Sequence, residues 1–584
     1  MKKWSLQTTI PKKADKDLTV FPELTRKLLY YRGIKTESEA QIFLEPNYAD
    51  ENHDPFLLPD MDKAVRRIHQ AIDENQKIMI FGDYDADGVP GTAVLSLFFR
   101  EIGFKNFDVY IPDRHLESYG LSCIQVEKFA QDKVNLLITI DCGITAVEEV
   151  KLATKLGLDV IITDHHLPQA KVPKALAIVN PKIKGSKYPF ADLCGAGVIF
   201  KVVQALIRRG NPKIKLGFEK WLLDLVAIST VADMMPLVGE NRALVKFGLI
   251  VLNKTRRLGL LELLRVLKIK YGEANEGDIG FMIGPRINSA SRMTHGLEAY
   301  KLLTTSDASE ARTIALGLEK NNQARKKIVE EIMMAVDSRL ADEKDLPPVI
   351  VIGDPDWGLG VLGLACSKIT DKYDRPSFVW AKNDDGLVKG SCRSNGSVNL
   401  VELMESAGGQ KFFTDMGGHV HAGGFSLDAK KIKDLEKKLL QAYDKVSKAE
   451  VVVEEVIDGE MSLDQVTWET YGEVNRLAPF GIGNPKPVFL FRDVEIDKVR
   501  TFGNGGIHIN LSFKIGGLSI NAIGFFTCPP SAEDDEFDER LGHNFSDVAL
   551  ASGRRIDLLA SLEKSTFGRA PELRLRIVDI RSVV

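Results

Sequence analysis

The chain has 584 residues, 77 of them Lys or Arg and 81 Asp or Glu, and its formal net charge is −4. At roughly 150 residues per domain this length predicts about three or four domains. No apolar run approaches the ~20 residues that a membrane span needs, and the segment that follows Met1 lacks the apolar stretch of a secretory signal. We therefore expect a cytoplasmic protein with no membrane partner, in which any polyanionic ligand is held by local basic patches.

The cysteines are too sparse for a disulfide scaffold, and none of them forms a Cys-x-x-Cys pair. This spacing argues against a structural zinc site and is compatible with a reducing cytosol. They are Cys123, Cys142, Cys194, Cys366, Cys392 and Cys528.

The first part of the chain predicts a parallel sheet. Residues 1 to about 60 form a polar lead-in with one amphipathic stretch, Leu24 to Phe43. Four short apolar runs then alternate with helical patterns, which is typical of parallel strands covered on both faces. Ligands of such sheets bind at the carboxyl ends of the strands. The predicted strands are residues 77–81, 135–140, 159–163 and 175–179.

The remainder of the chain changes character twice. Residues 240 to 340 are predicted to be mostly helical, and a second α/β unit begins near Pro348 and ends in a helix from Lys430 to Lys445. After Glu450, short alternating strands with Gly turns predict a β-barrel or β-sandwich tail. The acidic run at 533–539 is predicted to be a solvated loop.

Acidic side chains follow the first strand at alternate positions, in the segment Gly82-Asp83-Tyr84-Asp85-Ala86-Asp87-Gly88. Alternate side chains of an extended chain point to the same side, and three neighbouring anions repel each other unless a cation neutralises them. A calcium loop is a weaker interpretation, because the segment follows a strand and lacks the distal Glu of such loops.

Further carboxylates and imidazoles come after the next strands. The second strand is followed by Asp141, the third by Asp164-His165-His166, and Asp233 follows an apolar helical run. A single Asp at a strand end is more often a helix cap, so it is their coincidence at one sheet edge that indicates a site. Carboxylates suit Mg²⁺ and Mn²⁺, and added imidazole favours Mn²⁺. Two such ions about 3.5–4 Å apart can generate hydroxide and stabilise an in-line attack at phosphorus, so we predict two-metal phosphoester hydrolysis.

Several further segments keep a fixed order between about residues 60 and 490: Thr139-Ile-Asp-Cys-Gly-Ile144, Val231-Ala-Asp-Met-Met-Pro-Leu237, Pro285-Arg-Ile-Asn288, Gly360-Val-Leu-Gly363, Ser391-Cys-Arg-Ser394, Gly417-Gly-His-Val-His-Ala-Gly-Gly424 and Pro479-Phe-Gly-Ile-Gly-Asn-Pro485. Together with Gly82–Gly88 and Asp164-His165-His166, they resemble the DHH phosphoesterase superfamily, and within it the RecJ branch of single-strand-specific 5′ exonucleases.

The resemblance implies an α/β architecture with a lead-in (1–60), a parallel-sheet DHH catalytic domain (61–300), a long connecting helix (301–345), a second α/β DHH-associated substrate-binding domain (346–450) and a C-terminal OB-fold-like β-barrel for nucleic acid (451–584). It also implies a catalytic set in which His166 orients the site or contacts the scissile phosphate, while the other members bind metal. The implied metal ligands are Asp83, Asp85, Asp87, Asp141, His165 and Asp233. The first three cannot be divided between two ions from the sequence.

Single-strand binding needs cations for phosphates and flat side chains for bases. By resemblance, substrate would be held by Arg114, Arg286, Asn288, Ser391, Arg393, Gly418 and His419. The glycine-rich turn at Gly417-Gly418 lets backbone N–H groups approach a phosphate. In the tail, cations and aromatic residues are interleaved in a way that an OB-fold could use to guide a strand: Lys498, Arg500, Phe502, His508, Phe513, Phe525 and Phe526. The alternative is that these are ordinary surface residues, with the aromatic ones in the core.

We therefore predict a Mn²⁺-dependent, or alternatively Mg²⁺-dependent, 5′→3′ exonuclease that degrades single-stranded DNA to 5′-mononucleotides in recombination and repair. Its partners would be a DNA 5′ end, a helicase and a single-strand-binding protein. Two alternatives stay open. One is a phosphoesterase for small substrates, which the β-rich tail disfavours; the other is a non-catalytic replication scaffold, which the complete ligand set disfavours.

Overall fold

The structure is a computed structural model that describes residues 3–7, 9–117, 120–210, 214–215, 217–341, 343, 345–383, 386–449, 454–503, 508–525, 550–566 and 570–583. The chain divides into two compact units. The first, here called the parallel-sheet unit, comprises Glu45–Lys327 and Pro479–Pro485. The second, here called the mixed unit, comprises Met1–Leu44, Ile328–Ala478 and Lys486–Val584.

The parallel-sheet unit contains five strands that all run in the same direction. Their spatial order is Phe107–Tyr110, Ile78–Gly82, Leu136–Ile140, Asp159–Thr163 and Ala177–Val179. The predicted parallel sheet is confirmed, and each of its four predicted strands is present within two residues of its expected start. The strand that the sequence did not reveal, Phe107–Tyr110, lies at the edge and is only half-buried, so it lacks a continuous apolar run.

Both faces of this sheet are covered, as its apolar strands require. Alternate residues of one strand enter different cores, with Ile78 and Ile80 in one and Met79 and Phe81 in the other. The helices of this unit are Tyr48–Glu51, Met61–Asp73, Gly88–Glu101, Cys123–Gln131, Val147–Lys155, Gly195–Arg208, Leu223–Ala232, Gly239–Leu252, Leu258–Val266, Glu276–Asp278, Gly284–Met293 and Gly296–Thr304, with 3₁₀ turns at Pro55–Leu57 and Phe218–Leu222 and a π-helical turn at Ile279–Ile283.

One long helix, Ala308–Leu340, continues from the end of the parallel-sheet unit into the mixed unit. The mixed unit contains a five-stranded sheet whose order is Asp415–Gly418, Ala422–Leu427, Val388–Arg393, Ser377–Lys382 and Ile350–Gly353. The last two strands are parallel, and the other neighbours are antiparallel. Its helices are Leu362–Tyr373, Leu400–Ser406, Gly409–Phe412 and Ile432–Tyr443, with 3₁₀ turns at Leu359–Val361 and Ala429–Lys431.

The C-terminal part of the mixed unit is a seven-stranded, mostly antiparallel sheet. The strands follow the order Gly459–Glu460, Phe489–Glu495, Arg555–Ser565, Glu572–Ser582, Leu518–Gly524, His508–Ile515 and Lys498–Phe502. The 3₁₀ turn Leu463–Gln465 and the helix Trp468–Asn475 lie between its first two strands in the chain. The predicted β-rich tail is thus present.

The N-terminal segment is more structured than a polar lead-in. The strand Lys3–Leu6 pairs in parallel with Glu454–Ile457, and the Trp4 indole Nε1–H donates to Asp579 Oδ2 at 2.8 Å. Helices follow at Lys12–Asp17, Glu23–Tyr31 and Glu37–Leu44. The predicted single amphipathic stretch is therefore two helices, because Gly33 adopts a left-handed conformation with φ +80° between them.

Phe526, Cys528 and the acidic run at 533–539 lie outside the described residues. Within the described ranges, no helix combines the length and the apolar character that crossing a membrane requires.

Candidate metal centre

Acidic residues lie close together at one edge of the parallel sheet because the last residues of three neighbouring strands pair with one another. Gly82 pairs with Ile140, and Ile140 pairs with Thr163. The next residues, Asp83, Asp141 and Asp164, continue the ladder: their N–H groups donate to Ile140 O, Thr163 O and Val179 O at 3.2, 2.9 and 3.2 Å. The chain order of the strands reverses between Ile78–Gly82 and Leu136–Ile140. Such a switch point opens a crevice for ligands, and Asp83 and Asp141 stand on its two sides.

The loop that follows the strand Ile78–Gly82 is fixed by hydrogen bonds to one of its own carboxylates and to Asn288. Asp85 Oδ1 accepts from the backbone N–H groups of Asp87 and Gly88, at 2.9 and 3.1 Å. The Ala86 N–H donates to Asn288 Oδ1 at 2.9 Å. Gly88 is required here, because a Cβ at this position would lie 2.6 Å from Asp83 O. The loop is therefore held in one conformation by its own backbone and by Asn288.

Asp87 precedes the helix Gly88–Glu101 but its side chain does not cap that helix. Its carboxylate instead accepts hydrogen bonds from Gly195 N at 2.6 Å and Ala196 N at 2.8 Å. These are the first N–H groups of the helix Gly195–Arg208, where unpaired donors and the helix dipole favour an anion. The buried Asp87 is thus fixed by a helix from a distant part of the sequence.

His165 brings the remaining acids together. Its Nε2 lies 3.2 Å from Asp141 Oδ1, 3.6 Å from Asp87 Oδ2 and 3.6 Å from Asp233 Oδ2. Asp87, Asp141 and Asp233, which are far apart in the sequence, therefore converge on one imidazole. Had they pointed into separate regions, the predicted metal site would have been wrong.

Three overlapping sets of side chains in the described residues have ligand atoms within 4.8 Å of one another. They are Asp83, Asp85 and Asp141; Asp87, His165 and Asp233; and Asp141, His165 and His166. Asp141 and His165 each belong to two sets, so they stand between the others. All seven predicted catalytic residues are in this cluster, and no cysteine is in any set formed by the described residues.

The electrostatics of the cluster favour a bound cation. Burial, followed by the charge of Asp85, holds the pKa of Asp83 well above its usual range. Burial and the charge of Asp87 do the same for Asp141, and burial raises the pKa of Asp233 to about 8. Burial lowers the pKa of His165, which favours the neutral imidazole that binds metals. Among the described residues, the buried Asp83 Oδ1 has no hydrogen-bond partner.

Asp164 is a positioning residue rather than a member of the ligand sets. Its carboxylate accepts from the N–H groups of Ile144, His165 and His166 at 2.7–3.0 Å and lies 2.8 Å from His166 Nδ1. Although burial opposes it, the hydrogen bond to Asp164 raises the pKa of His166 to about 9. Asp164 thereby fixes the orientation of a ring that lines the cavity.

A cavity of about 300 Å³ opens over the cluster. It is lined by Asp83, Tyr84, Asp85, Arg114, Asp141, His166, Asp233, Asn288 and Arg292. The Arg114 guanidinium carbon lies 4.8 Å from the centre of the Tyr84 ring, so the acidic floor has cationic and aromatic groups beside it. Arg286 is not among these lining residues, because its Nε donates to Glu319 Oε2 at 2.8 Å.

The other predicted substrate-binding residues lie together in the mixed unit. Ser391 and Arg393 alternate on one strand, and a Cβ at Gly363 would lie 3.5 Å from Ser391 Oγ and 3.1 Å from Arg393 Nη2. Gly418 ends the strand of a hairpin with φ +147°, and the N–H of the exposed His419 donates to Ala422 O at 2.8 Å. The strand Ala422–Leu427 pairs with the strand of Ser391 and Arg393 on one side and with the strand that ends at Gly418 on the other, so it separates Ser391 and Arg393 from Gly418 and His419.

The aromatic residues predicted in the C-terminal sheet divide into two groups. Phe513 is fully buried and belongs to the core. Phe502, His508 and Phe525 form a partly exposed cluster with ring centres 5.0–6.0 Å apart, and the Arg576 guanidinium carbon lies 4.1 Å from the Phe525 centre. Arg576 was not predicted, because nothing in the local sequence shows that its strand runs beside the Phe525 segment.

Sequence reasoning also missed three contributors to the metal centre. Tyr84 lies inside the acidic motif and Arg292 follows the segment Pro285-Arg-Ile-Asn288, but neither was assigned a role. The third contributor is the pair of backbone N–H groups of Gly195 and Ala196. The sequence indicates them only weakly, through the glycine-rich helix start Cys194-Gly-Ala-Gly197, which is typical of anion-binding turns.

Comparisons with known proteins agree with this architecture. Sequence descriptions of three families match the chain: the DHH family, N-terminal domain, over residues 77–230, the DHHA1 domain over 346–445, and the RecJ OB domain over 457–579. Two similar curated proteins are both named single-stranded-DNA-specific exonuclease RecJ. The one from Bacillus subtilis is 37% identical over 86% of this chain and 63% of its own length, and the one from Haemophilus influenzae is 33% identical over 81% and 84%.

Two solved structures that are similar to this chain contain a divalent metal ion. The crystal structure of RecJ from Thermus thermophilus in complex with Mn²⁺ has a TM-score of 0.80 and 26% identity, covering all of this chain and 80% of that one. A Mg²⁺ complex from the same organism has a TM-score of 0.74 and 25% identity. The carboxylate and imidazole donors of the present site suit both ions. The chain spans slightly less than two thirds of the Bacillus relative and more than four fifths of the Haemophilus relative, and it belongs to the RecJ family of DHH phosphoesterases.

Proposed function

We propose that this chain is a metal-dependent exonuclease that degrades single-stranded DNA from its 5′ end and releases 5′-mononucleotides. The observation that carries the proposal is the convergence of three ligand sets on Asp141 and His165, at a crevice that also presents Arg114 and Arg292. The names of the relatives support the substrate and the reaction class.

We infer a division of ligands that the sequence left open. Asp83 and Asp85 would bind one divalent cation, Asp87 and Asp233 the other, and Asp141 and His165 stand where both sets overlap. Two cations held there would lower the pKa of water and neutralise charge that develops on the phosphoryl oxygens. Mn²⁺ fits a donor set that mixes imidazole with carboxylate, and Mg²⁺ fits its carboxylates.

The protein itself would position the substrate. Arg114 and Arg292 face the cavity from beside the acidic cluster, and a guanidinium can hold a phosphate through two parallel hydrogen bonds. Asp164 keeps the His166 ring against the cavity, and Asn288 holds the ligand loop through the Ala86 N–H. Ser391, Arg393, Gly418 and His419 would hold the 5′ end or neighbouring phosphates, while Arg286 would act through Glu319 rather than on DNA.

We also propose a division of labour along the chain. Residues 61–300 would carry the metal chemistry, 346–450 would bind substrate, and 451–584 would guide the single strand, with 301–345 as the connecting helix and 1–60 as the N-terminal lead-in. The matches to the DHH, DHHA1 and RecJ OB families support this assignment. A helicase and a single-strand-binding protein would supply substrate in the cytoplasm during recombination and repair.

The test uses oligonucleotides labelled at either end, in the presence of Mn²⁺. We expect the wild type to release a 5′ label at once as a mononucleotide, to release a 3′ label only at the end, and to spare a closed single-stranded circle. Asp141→Asn is expected to lose this activity, while Asp73→Asn, which alters an exposed carboxylate, keeps it. Full activity of Asp141→Asn would refute the mechanism, and cleavage of dinucleotides alone would favour the small-substrate phosphoesterase.

A further inference from the structure

The segment Pro479–Pro485, here called the 479–485 loop, belongs to the parallel-sheet unit although the residues on either side of it in the chain belong to the mixed unit. The loop is closed by the fully buried Asn484, whose Nδ2 donates to Pro479 O at 2.8 Å. The backbones of Asn484 and Gly481 also exchange two hydrogen bonds, at 2.9 and 3.1 Å. The loop is therefore a folded element of the parallel-sheet unit and not merely a linker.

The turn that carries Asp233 needs support from its surroundings. Asp233 ends the helix Leu223–Ala232, and the next residue, Met234, takes a left-handed conformation with φ +56°. Residues other than glycine adopt this conformation rarely, and it persists where neighbouring contacts hold the chain in place. The position of the Asp233 carboxylate therefore depends on what holds the residues that follow it.

The 479–485 loop packs against those following residues. The Leu237 N–H donates to Ile482 O at 2.7 Å. A Cβ built on Gly481 would lie 2.8 Å from Leu237 Cδ1, and one built on Gly483 would lie 3.2 Å from Val238 Cγ1. The loop and the segment 236–238 are thus in close contact, and neither glycine leaves ordinary room for a methyl group.

Two further hydrogen bonds anchor the 479–485 loop to the same unit. The Phe480 N–H donates to Glu276 Oε1 at 3.0 Å, and Arg242 Nη1 donates to Pro479 O at 3.3 Å. Arg242 is buried and belongs to the helix Gly239–Leu252, which follows the Asp233 turn. The loop is therefore attached at several points around this turn.

The Asp233 turn is also connected to the segment that fixes Asp87. The fully buried Asn241 donates through Nδ2 to Pro236 O at 3.1 Å and to Asp192 O at 2.6 Å. Asp192 directly precedes the helix start whose N–H groups bind the Asp87 carboxylate. The two carboxylates of one ligand set, Asp87 and Asp233, are thus held by segments that contact each other.

We propose that the 479–485 loop is a positioning element of the metal centre. By holding residues 236–238 it fixes the Asp233 carboxylate, and with it the affinity for the cation that Asp87 and Asp233 would bind. The inference rests on the metal sites of the proposed function. It goes beyond that function because it assigns residues from the C-terminal part of the chain to metal binding, where guiding the single strand was the expected role.

The test compares Gly483→Ala with Gly157→Ala in the full-length protein. Both glycines are left-handed, with φ +76° and +80°, so alanine meets the same backbone strain at each position. Only the methyl group at position 483 presses on Val238, because at position 157 no atom of the described residues lies within 4 Å of the added Cβ. Both positions belong to the parallel-sheet unit, and we expect the two variants to show the same decrease in the urea midpoint of unfolding.

Mn²⁺ binding, measured by titration calorimetry, separates the two variants. We expect two ions per chain in the wild type and in Gly157→Ala. In Gly483→Ala one of the two ions should bind about tenfold more weakly, as when a group that orients a metal ligand is lost, and Asp233→Asn should show the same pattern more strongly. With a single-stranded oligonucleotide, kcat of Gly483→Ala should fall at low Mn²⁺ and recover at high Mn²⁺, while KM for the oligonucleotide stays unchanged.

A second pair of variants tests the loop without touching its glycines. Glu276→Ala removes the acceptor of the Phe480 N–H and should weaken the same ion, whereas Glu276→Gln keeps an oxygen that can accept this bond and should restore the affinity. Mn²⁺ affinities of Gly483→Ala and Glu276→Ala equal to those of Gly157→Ala and Glu276→Gln would overturn the inference. A wild-type protein that binds no Mn²⁺ would instead refute the metal chemistry of the proposed function.

Discussion

Replacing Gly195 by Ala should disable the metal centre through a single added methyl group. Gly195 begins the helix whose N–H groups hold Asp87, and its α-carbon lies against Asp141. A Cβ built at this position would lie 2.5 Å from Asp141 Cβ and 2.8 Å from Asp141 Oδ1. The substitution therefore presses directly on the residue that two of the ligand sets share.

The size of the effect follows from these distances. Ordinary van der Waals contact begins at 3.4 Å, so the helix start or Asp141 must move by roughly 1 Å. Overpacking of this kind costs about 1–3 kcal/mol of stability, and a 1 Å misplacement of a catalytic group can reduce the rate about 100-fold. Moving the helix would also lengthen the 2.6 Å bond from Gly195 N to Asp87, so both carboxylates are expected to lose their position.

The assay combines Mn²⁺ titration calorimetry with hydrolysis of a 5′-phosphorylated single strand. We expect Gly195→Ala to bind Mn²⁺ more weakly and to lose about 100-fold in kcat/KM while it still unfolds cooperatively. Gly197→Ala is the matched control, because a Cβ two residues further along meets its nearest atoms at 3.5–3.6 Å and should have little effect. Wild-type Mn²⁺ affinity and activity in Gly195→Ala would refute the view that this helix start positions the ligands.

Three further outcomes are expected. Asp164→Asn removes the charge that orients His166 and should reduce activity about 10–100-fold; unchanged kcat with 5′-phosphorylated single strands would contradict this role. Glu240→Gln leaves the buried ammonium of Lys201 without its counter-charge and should cost about 3–5 kcal/mol; an unaltered midpoint in urea unfolding would count against it. Mn²⁺ at about 100 times its Kd should raise the free energy of unfolding by about 2.7 kcal/mol, as measured by thermal unfolding with and without chelator, and Asp141→Asn should abolish this gain.

Much of the metal centre could be predicted from the chain alone. An apolar strand exposes the residue that follows it at the sheet edge, so Asp83 and Asp141 could be placed at one rim by counting from the ends of two apolar runs. The alternation of strands and helices indicated the parallel sheet, which the structure confirms. The weak points were edge elements, such as the strand Phe107–Tyr110, where half-burial removes the continuous apolar pattern.

Tertiary structure decided how these residues work together, because the decisive contacts join segments that are far apart in the chain. The Asp87 carboxylate accepts hydrogen bonds from N–H groups more than a hundred residues away in the sequence, and no local sequence pattern predicts those hydrogen bonds. Arg286 and Arg292 lie on one short helix, yet the first is paired with Glu319 and the second faces the cavity. Residue type and spacing therefore determined which groups are available for chemistry. Packing between remote helices and strands determined which of them meet at the rim of the sheet, since only a three-dimensional neighbour can neutralise or redirect a charged side chain.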